Sequence, residues 1–298
     1  MKQRILVGLG EVLWDVYPDA ARFGGAPANV ACHAASLGAQ ASMVSAVGTD
    51  DLGERARQFL EARGVNCSGV ARDPAHATGR VLVTLNASGQ PSYEIAADTA
   101  WDHVPWTAEL AGLAGRCDAV CFGTLGQRGP VSRATIRRFV AATPASALRV
   151  FDVNLRQQFY DAEILRSSLE LATAVKLNDE ELPVVARLCG LGAGGPGEQL
   201  RELAARFDLR LAALTCGARG SLLLAEGQLC ECPAPATAVV DTVGAGDAFT
   251  AALTLGYLNG WSLGRLGEVA NRIAAYVCSQ PGATPELPET LRAEFRQG

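Results

Sequence analysis

Short runs of aliphatic and β-branched residues alternate along this chain with longer stretches in which apolar positions recur every three or four residues, the period of a helix with one buried face. Arg4–Leu9 predicts a buried strand, and Pro27–Leu37 predicts a helix with Pro27 in its first turn and Gly38 as its C-terminal cap. The alternation continues with a strand at Ser42–Val47 and a helix from Asp51 to Arg63 closed by Gly64. After it come strand Ala119–Phe122, helix Val131–Ala141, strand Leu148–Val153, helix Ala162–Ala172, strand Ala174–Leu177 and a helix from Asp179. Strands separated by helices form right-handed crossovers, so the expected fold class is α/β: a doubly wound, mainly parallel sheet covered on both faces.

Two segments depart from this rhythm. Gly79–Asn86 and Pro91–Ala96 alternate with a period of two about the turn Ala87-Ser88-Gly89-Gln90, which predicts an antiparallel hairpin. Such a hairpin must bury its apolar side. We expect it to join Val12–Tyr17 in a small sheet projecting from the main body, a lid formed by about residues 11–25 and 79–97 within one unit spanning 1–298. Gly190 to Gly197 holds five glycines in eight residues and is expected to be a flexible surface connection between two helices.

The 298 residues carry 26 Lys and Arg against 31 Asp and Glu, a formal charge of −5 with no long run of either sign. Nucleic-acid binding through a concentrated basic surface is thereby disfavoured. At 49% hydrophobic and 19% charged, the chain is too apolar for disorder, yet it lacks the uninterrupted apolar stretch of about 18 residues that a membrane span needs. The first residues show no leader-like apolar run, and the nine cysteines form no paired C-x-x-C. The expectation is a cytoplasmic protein with reduced thiols and no structural zinc. His33 and His103 have no ligand-type partner nearby in sequence and are expected to be structural.

The strongest chemical signal is Asp241-Thr242-Val243-Gly244-Ala245-Gly246-Asp247-Ala248-Phe249, followed by the apolar helical pattern Thr250–Leu258. Small residues ahead of a helix let backbone N–H groups converge where the positive end of the helix dipole also acts, so Gly244, Ala245 and Gly246 are candidates for an anion hole. Asp247 reads either as a helix-start carboxylate or as a general base; a second aspartate on the far side of the glycines favours more than capping. The other phosphate-binding patterns fail. There is no Gly-x-x-x-x-Gly-Lys-[Ser/Thr] and no protein-kinase set, and Gly8-Leu9-Gly10 is not followed by the third glycine of a dinucleotide fingerprint.

The segment resembles the second signature of the ribokinase-like sugar kinases, the PfkB carbohydrate kinase family, and further motifs follow in the family's order. Gly10-Glu11-Val12-Leu13-Trp14-Asp15 is similar to its first sugar-contacting element, Gly24-Gly25-Ala26-Pro27-Ala28-Asn29 to its Gly-Gly-x-x-x-Asn, and Val47-Gly48-Thr49-Asp50-Asp51-Leu52-Gly53 to the end of its first signature. Leu177-Asn178-Asp179-Glu180-Glu181 matches Asn-x-x-Glu. Leu214-Thr215-Cys216-Gly217-Ala218-Arg219-Gly220-Ser221 resembles the nucleotide-binding strand and turn, and Pro281-Gly282-Ala283 the loop along the base.

The resemblance implies an ATP- and Mg2+-dependent sugar kinase. Asp247 would be the base beside the Gly244–Gly246 hole; Asp15, Gly24, Gly25, Asn29, Asn154 and Arg156 would hold the sugar; Asn178, Glu181, Thr215, Gly217, Gly220 and Asn271 would bind nucleotide. Glu181 would also hold magnesium through water, and Asp241 would hold a monovalent cation, K+ in the family. Other readings stay open at several positions. Asn29 is also a polar residue in a helix's first turn, Arg156 a surface arginine, Lys176 either a phosphate neighbour or a salt-bridge partner, and Trp14, Trp101 and Trp106 either cleft or core. Asp152-Val153-Asn154-Leu155-Arg156, Gly10-Glu11-Val12-Leu13 and the short loop from Asp15 to Gly24 resemble fructokinases most, so fructose is the expected acceptor, with 2-keto-3-deoxygluconate or ribose as alternatives. A catalytically silent sensor would have lost the base or the glycines. The expected partners are a small sugar and ATP, with no nucleic acid or membrane, and the lid edge offers a surface for a homodimer.

Overall fold

A computed structural model describes residues 3–85 and 91–296 of the chain. In chain order the elements are β1 (Ile5–Leu9), β2 (Leu13–Val16), β3 (Ala21–Gly24), α1 (Ala26–Ser36), β4 (Gln40–Gly48), α2 (Asp51–Ala62), β5 (Val70–Asp73), β6 (Gly79–Leu85) and β7 (Pro91–Ile95). They continue with α3 (Ala108–Ala114), β8 (Ala119–Phe122), α4 (Pro130–Ala141), β9 (Leu148–Asp152), α5 (Ala162–Leu171), β10 (Ala174–Asn178), α6 (Glu181–Cys189) and α7 (Pro196–Arg206). The last are β11 (Leu211–Thr215), β12 (Ser221–Ala225), β13 (Gln228–Cys232), α8 (Ala245–Leu258), α9 (Leu263–Cys278) and α10 (Glu289–Ala293).

The large sheet has nine strands in the order β13-β12-β11-β10-β9-β8-β1-β4-β5. All neighbours from β11 to β5 are parallel, and β12 and β13 close one edge in antiparallel pairing. Because a strand's side chains alternate between faces, Leu6 joins the apolar layer under α1, α2, α8 and α9, while Val7 and Leu9 join the layer under α3 to α7. Gly8 faces the first of these layers, where a Cβ would lie 2.2 Å from the Pro27 carbonyl oxygen. Its lack of a side chain lets α1 lie directly on β1.

The expected lid is present as a second sheet of order β3-β2-β6-β7. The hairpin strands β6 and β7 are antiparallel, and β6 adds parallel to β2 in the register Leu13 with Gly79. The turn Ala87-Ser88-Gly89-Gln90 lies outside the described residues. Trp14 and Phe23 of the lid pack with Phe59 of α2, ring centroids 4.3 to 6.4 Å apart, so the lid rests on an aromatic footing. Trp14 and Trp101 are buried core residues, and Trp106 is half-buried, packing edge-on against Phe139 at the margin of the core.

The glycine-rich connection is shorter than expected. α7 begins at Pro196, so Pro196 and Gly197 form its first turn; the preceding loop is tied down by Glu202 accepting Gly192 N–H and Glu198 accepting Gly195 N–H. Among the described residues no helix is long and apolar enough to cross a membrane.

Candidate active site

The chain leaves β1 toward β4 and β5, then returns to β8 and builds the sheet in the other direction. Such a reversal opens a crevice at the carboxyl ends of the strands. Glu11 follows β1, Asp152 and Asn154 close β9, Asn178 closes β10, and Thr215 closes β11, so one crevice edge collects residues scattered over the first three quarters of the sequence.

Gly244 precedes α8 with φ 78°, a left-handed conformation, and a Cβ on it would lie 2.1 Å from the Ala283 carbonyl oxygen. Only glycine serves there. The Ala283 carbonyl is itself held by His33, whose Nε2 lies 3.0 Å away. A carbonyl only accepts, so Nε2 must carry the proton; burial lowers the His33 pKa to about 4 and keeps the ring neutral. No side chain caps the first turn of α8. The Ala245 N–H makes only a long 3.4 Å contact with the Thr242 carbonyl, so the start of the helix keeps the positive end of its dipole for an anion.

Asp247, in that first turn, is half-buried and accepts a 2.8 Å hydrogen bond from Asn29 Nδ2. Burial, reinforced by the negative charge of Asp152, raises its pKa to about 6, with Asn29, Lys176 and Arg156 pulling the other way. Asp152 has a donor on each oxygen: Lys176 Nζ at 3.1 Å and Thr250 Oγ1 at 2.8 Å. The salt-bridge reading of Lys176 holds. It pairs with buried Asp152, and a Cβ at position 246 would lie 3.0 Å from its ammonium, so the charge sits directly beneath the Gly246 backbone. Burial opposes the Lys176 charge, but Asp152, Glu181 and Asp247 together outweigh it and hold the pKa above the ordinary lysine value.

Glu11 is the residue that sequence reasoning passed over. Its side chain is buried; Oε1 takes a long contact from Ala26 N–H at 3.3 Å, and Oε2 has no partner. Burial raises its pKa to about 7, with Asp247 adding a smaller push. The available signal was a glutamate directly after an apolar strand, between Gly10 and Val12, where a charge has no solvent to face. Asn29 also leaves Oδ1 unpartnered and buried, so two acceptors remain open beside Asp247.

Asp15, on β2, is half-buried with its pKa raised by desolvation against the pull of Arg156 and Arg22. Gly24 lies against Asp15: a Cβ there would sit 3.2 Å from Oδ2. Gly25 has φ 110° and backs onto the Glu11 carbonyl, 2.4 Å from where its Cβ would be. Arg156 is exposed, yet it is close enough to Glu11, Asp15 and Asp247 to act electrostatically on all three, which sets it apart from an ordinary surface arginine. Asn154 adopts φ 41° at the end of β9, and its carbonyl accepts from Thr124 Oγ1. The same loop touches the lid through Gln157 Nε2 donating to the Tyr93 carbonyl at 2.9 Å.

On the other side, Asn178 and Thr215 are register partners on β10 and β11. Asn178 Oδ1 accepts the N–H groups of Glu180 and Glu181, which is why α6 begins at Glu181 rather than Asp179. Gly217 opens a short 3-10 turn with φ 55° and no atom within 4 Å of a would-be Cβ, so its backbone is approachable from solvent. Gly220 ends that turn at φ 100°, packed against Cys232 and Ala234. Asn271 is placed differently from the other nucleotide candidates. It is buried in α9, and its Nδ2 donates 2.8 Å to the Cys232 carbonyl, tying the helix to β13.

The cation candidates also divide. Glu181 is buried and each oxygen takes a backbone amide, from Leu155 and Asn178. Remaining lone pairs suit contact with a hydrated Mg2+ through water, as an all-oxygen donor does. Asp241 is already compensated: Val243 and Gly282 amides bond its two oxygens, Arg22 lies 3.7 Å away, and the neighbouring Cys278 carbonyl takes the N–H groups of both Val240 and Asp241. Lone pairs remain, as at Glu181, so the difference is the Arg22 guanidinium, with which a potassium ion would compete for Asp241.

A reversal crevice with a lid beside it and an uncapped helix N-terminus next to a half-buried aspartate suits a phosphotransferase for small molecules. The chain belongs to the pfkB family of carbohydrate kinases, whose pattern matches residues 19–290. It is similar to an uncharacterised sugar kinase of Pyrococcus horikoshii, 32% identical over 279 residues that cover 90% of this chain and 85% of the relative. The structure of that kinase in complex with ATP superposes with a TM-score of 0.82 over 98% of this chain and 99% of the other, at 30% identity. An Escherichia coli fructokinase is 29% identical over 297 residues, 94% of this chain and 95% of its own. An ATP-bound Xylella fastidiosa fructokinase shares the fold at TM-score 0.84 and 21% identity, over 98% of both chains.

Proposed function

We propose that the protein transfers the γ-phosphoryl group of ATP to a primary hydroxyl of a small ketose, with fructose as acceptor and fructose 6-phosphate as product. The observation that carries the reading is Asp247: a half-buried carboxylate with a pKa of about 6 in the first turn of α8, at a helix N-terminus that no side chain caps. In the reaction the hydroxyl oxygen forms a bond to the γ-phosphorus, the bond from that phosphorus to the β-bridging oxygen breaks, and the hydroxyl proton passes to Asp247. Charge moving with the phosphoryl group is met by the amides of Gly244, Ala245 and Gly246 and by the Lys176 ammonium below them. Asn29 fixes the Asp247 carboxylate, while Asp15, Gly24, Gly25, Asn154 and Arg156 surround the sugar. Asn178, Thr215, Gly217 and Gly220 accommodate the nucleotide. A magnesium ion held through water at Glu181 would neutralise the β- and γ-phosphates.

Fructose is favoured by the full-length likeness to a fructokinase and by the short connection between Asp15 and Gly24. Arg156 favours a second acceptor, 2-keto-3-deoxygluconate, because an exposed guanidinium at the sugar side can pair with the carboxylate of a sugar acid. Pairing of two copies through the lid is part of the same proposal, supported by Leu82 and Tyr93, which are 37% and 53% exposed on β6 and β7. The test is ADP release from ATP and magnesium with a panel of ketoses, keto acids, ribose and nucleosides. Turnover with fructose above the rest is expected; turnover with nucleosides alone would overturn the acceptor and leave the kinase chemistry standing.

A further inference from the structure

Two chain segments join the lid to the large sheet: residues 74–78 lead from β5 into β6, and residues 96–99 return from β7. His76 lies on the first crossing and Asp98 on the second, and His103 ends the 3-10 turn that follows. His103 Nε2 is 2.7 Å from Asp98 Oδ1, His76 Nε2 is 3.8 Å from the same oxygen, and the two imidazoles lie face to face with centroids 3.6 Å apart. We infer that His76, Asp98 and His103 bind a divalent transition-metal ion of the zinc class, which ties the two lid connections together.

The donor set selects the ion. Two imidazoles and one carboxylate suit zinc and its neighbours, whereas magnesium and calcium prefer oxygen alone. His76 is already oriented as a ligand. Its Nδ1 lies 2.7 Å from Asp73 Oδ2, and since a carboxylate accepts, the neutral ring carries its free lone pair on Nε2, toward Asp98. A carboxylate behind a histidine is the usual support for a metal ligand. Asp73 Oδ1 also accepts the N–H groups of Ala75 and His76, and Asp50 accepts both the N–H and the Oγ1–H of Thr78, so the first crossing is held firmly. The second is bonded at Ala96 and Thr99, and between them the Asp98 side chain, 75% exposed, can turn. The ligand atoms lie within 4.8 Å of one another. A tetrahedral ion at about 2.0–2.1 Å spaces its ligands about 3.3 Å apart, which lengthens the 2.7 Å His103–Asp98 pair and shortens the others; rotation of Asp98 and His103, with the His103 proton moved from Nε2 to Nδ1, supplies the change, and water is the fourth ligand. The other way to relieve two facing acceptors is a proton on His76, and the experiment separates the two.

Reduced, chelator-treated full-length protein is titrated with Co2+ and followed by absorption. One equivalent per chain is expected, with visible ligand-field bands and no near-ultraviolet thiolate band. Binding should weaken at least about 10-fold in His76→Gln and in His103→Gln, and about 10-fold in Asp73→Asn. It should persist in Cys230→Ser, the control for the thiols of Cys230 and Cys232, which lie 3.6 Å apart. Circular dichroism confirms that each variant is folded; a variant that unfolds is replaced by Asp98→Asn, which alters only an exposed side chain. Absence of saturable binding, a thiolate band lost in Cys230→Ser, or unchanged affinity in the folded ligand variants would each overturn the site. Zn2+ should displace Co2+ and slow hydrogen exchange at residues 74–78 and 96–99; displacement with unchanged exchange there would overturn the tying of the lid.

Discussion

Replacing Asp247 by Asn should make the protein more stable and nearly inactive at once. Folding takes most of the water from the carboxylate and raises its pKa from 3.8 to about 6. At roughly 1.4 kcal/mol per pH unit, keeping it ionised in the folded state at pH 8 costs about 3 kcal/mol. The sign follows from the proton count. Between about pH 4 and 6 the folded state holds a proton that the unfolded state has released, so stability is fullest below that window and declines as pH rises through it. Asn has the same size and accepts from Asn29 through Oδ1, and its amide faces a region where Asn29 Oδ1 and Glu11 Oε2 lack partners. With unfolding entropies of about 2.1 cal/mol/K per residue, 3 kcal/mol corresponds to a rise in Tm of up to about 5 °C at pH 8, shrinking toward zero at pH 4. Turnover should fall at least about 100-fold, the lower end of what a positioned general base contributes. Calorimetry at the two pH values and steady-state kinetics test both halves. A variant within tenfold of the parent kcat refutes the base, and a Tm lowered equally at both pH values refutes the buried-charge reasoning.

The pH profile of kcat/KM should fall tenfold per unit below about pH 6, where Asp247 takes up its proton, and a flat profile down to pH 5 would exclude it as the base. Glu11→Gln should raise the KM for the sugar about 10-fold or more with little change for ATP, since the unpartnered Oε2 lies within electrostatic reach of Arg156 and Asp247 on the sugar side; equal effects on both substrates would deny it that place. Asn271→Ala should destabilise the fold by about 1–3 kcal/mol, measured by denaturant unfolding, while ATP affinity stays within about twofold, because its amide serves Cys232; a large loss of ATP binding would restore the nucleotide role. Rates in potassium and in tetramethylammonium at equal ionic strength should agree within about twofold, since Arg22 and two amides already compensate Asp241.

How much of this can be read from the chain depends on how local the cause is. Gly244 and Asp247 lie three residues apart, and their pattern carries both the turn and the start of α8. The crossover strands are legible because parallel strands buried on both faces read as apolar runs. The antiparallel strands β12 and β13, the edge strand β5 and the helices α3, α9 and α10 do not emerge from periodicity: short edge strands and half-exposed helices carry weaker patterns. What the sequence conceals is partnership across distance. Asn29 meets Asp247 across a separation of 218 positions, and His76 meets His103 only because both lid connections return to the same place.

The supply of hydrogen-bond donors distinguishes the three acids at the crevice and is what suits Asp247 to the base proposed for it. Asp152 has a donor on each oxygen, one of them the Lys176 ammonium, so its charge is engaged in holding β9, β10 and α8 together. Glu11 has one long amide contact and an unpartnered oxygen, and with its pKa near 7 it exists in both protonation states at neutral pH. Asp247 lies between them. The single bond from Asn29 leaves its pKa at about 6, high enough to accept a hydroxyl proton and low enough to be ionised at pH 7. A second strong donor on Asp247 would lower its basicity, and loss of the Asn29 bond would drift it toward the state of Glu11. Asn29 lies in the first turn of α1, the usual place for a polar residue that serves its own helix, but its amide is directed at Asp247 instead. Its sequence position explains why it sits at a helix start, and its bond explains why the residue there is asparagine.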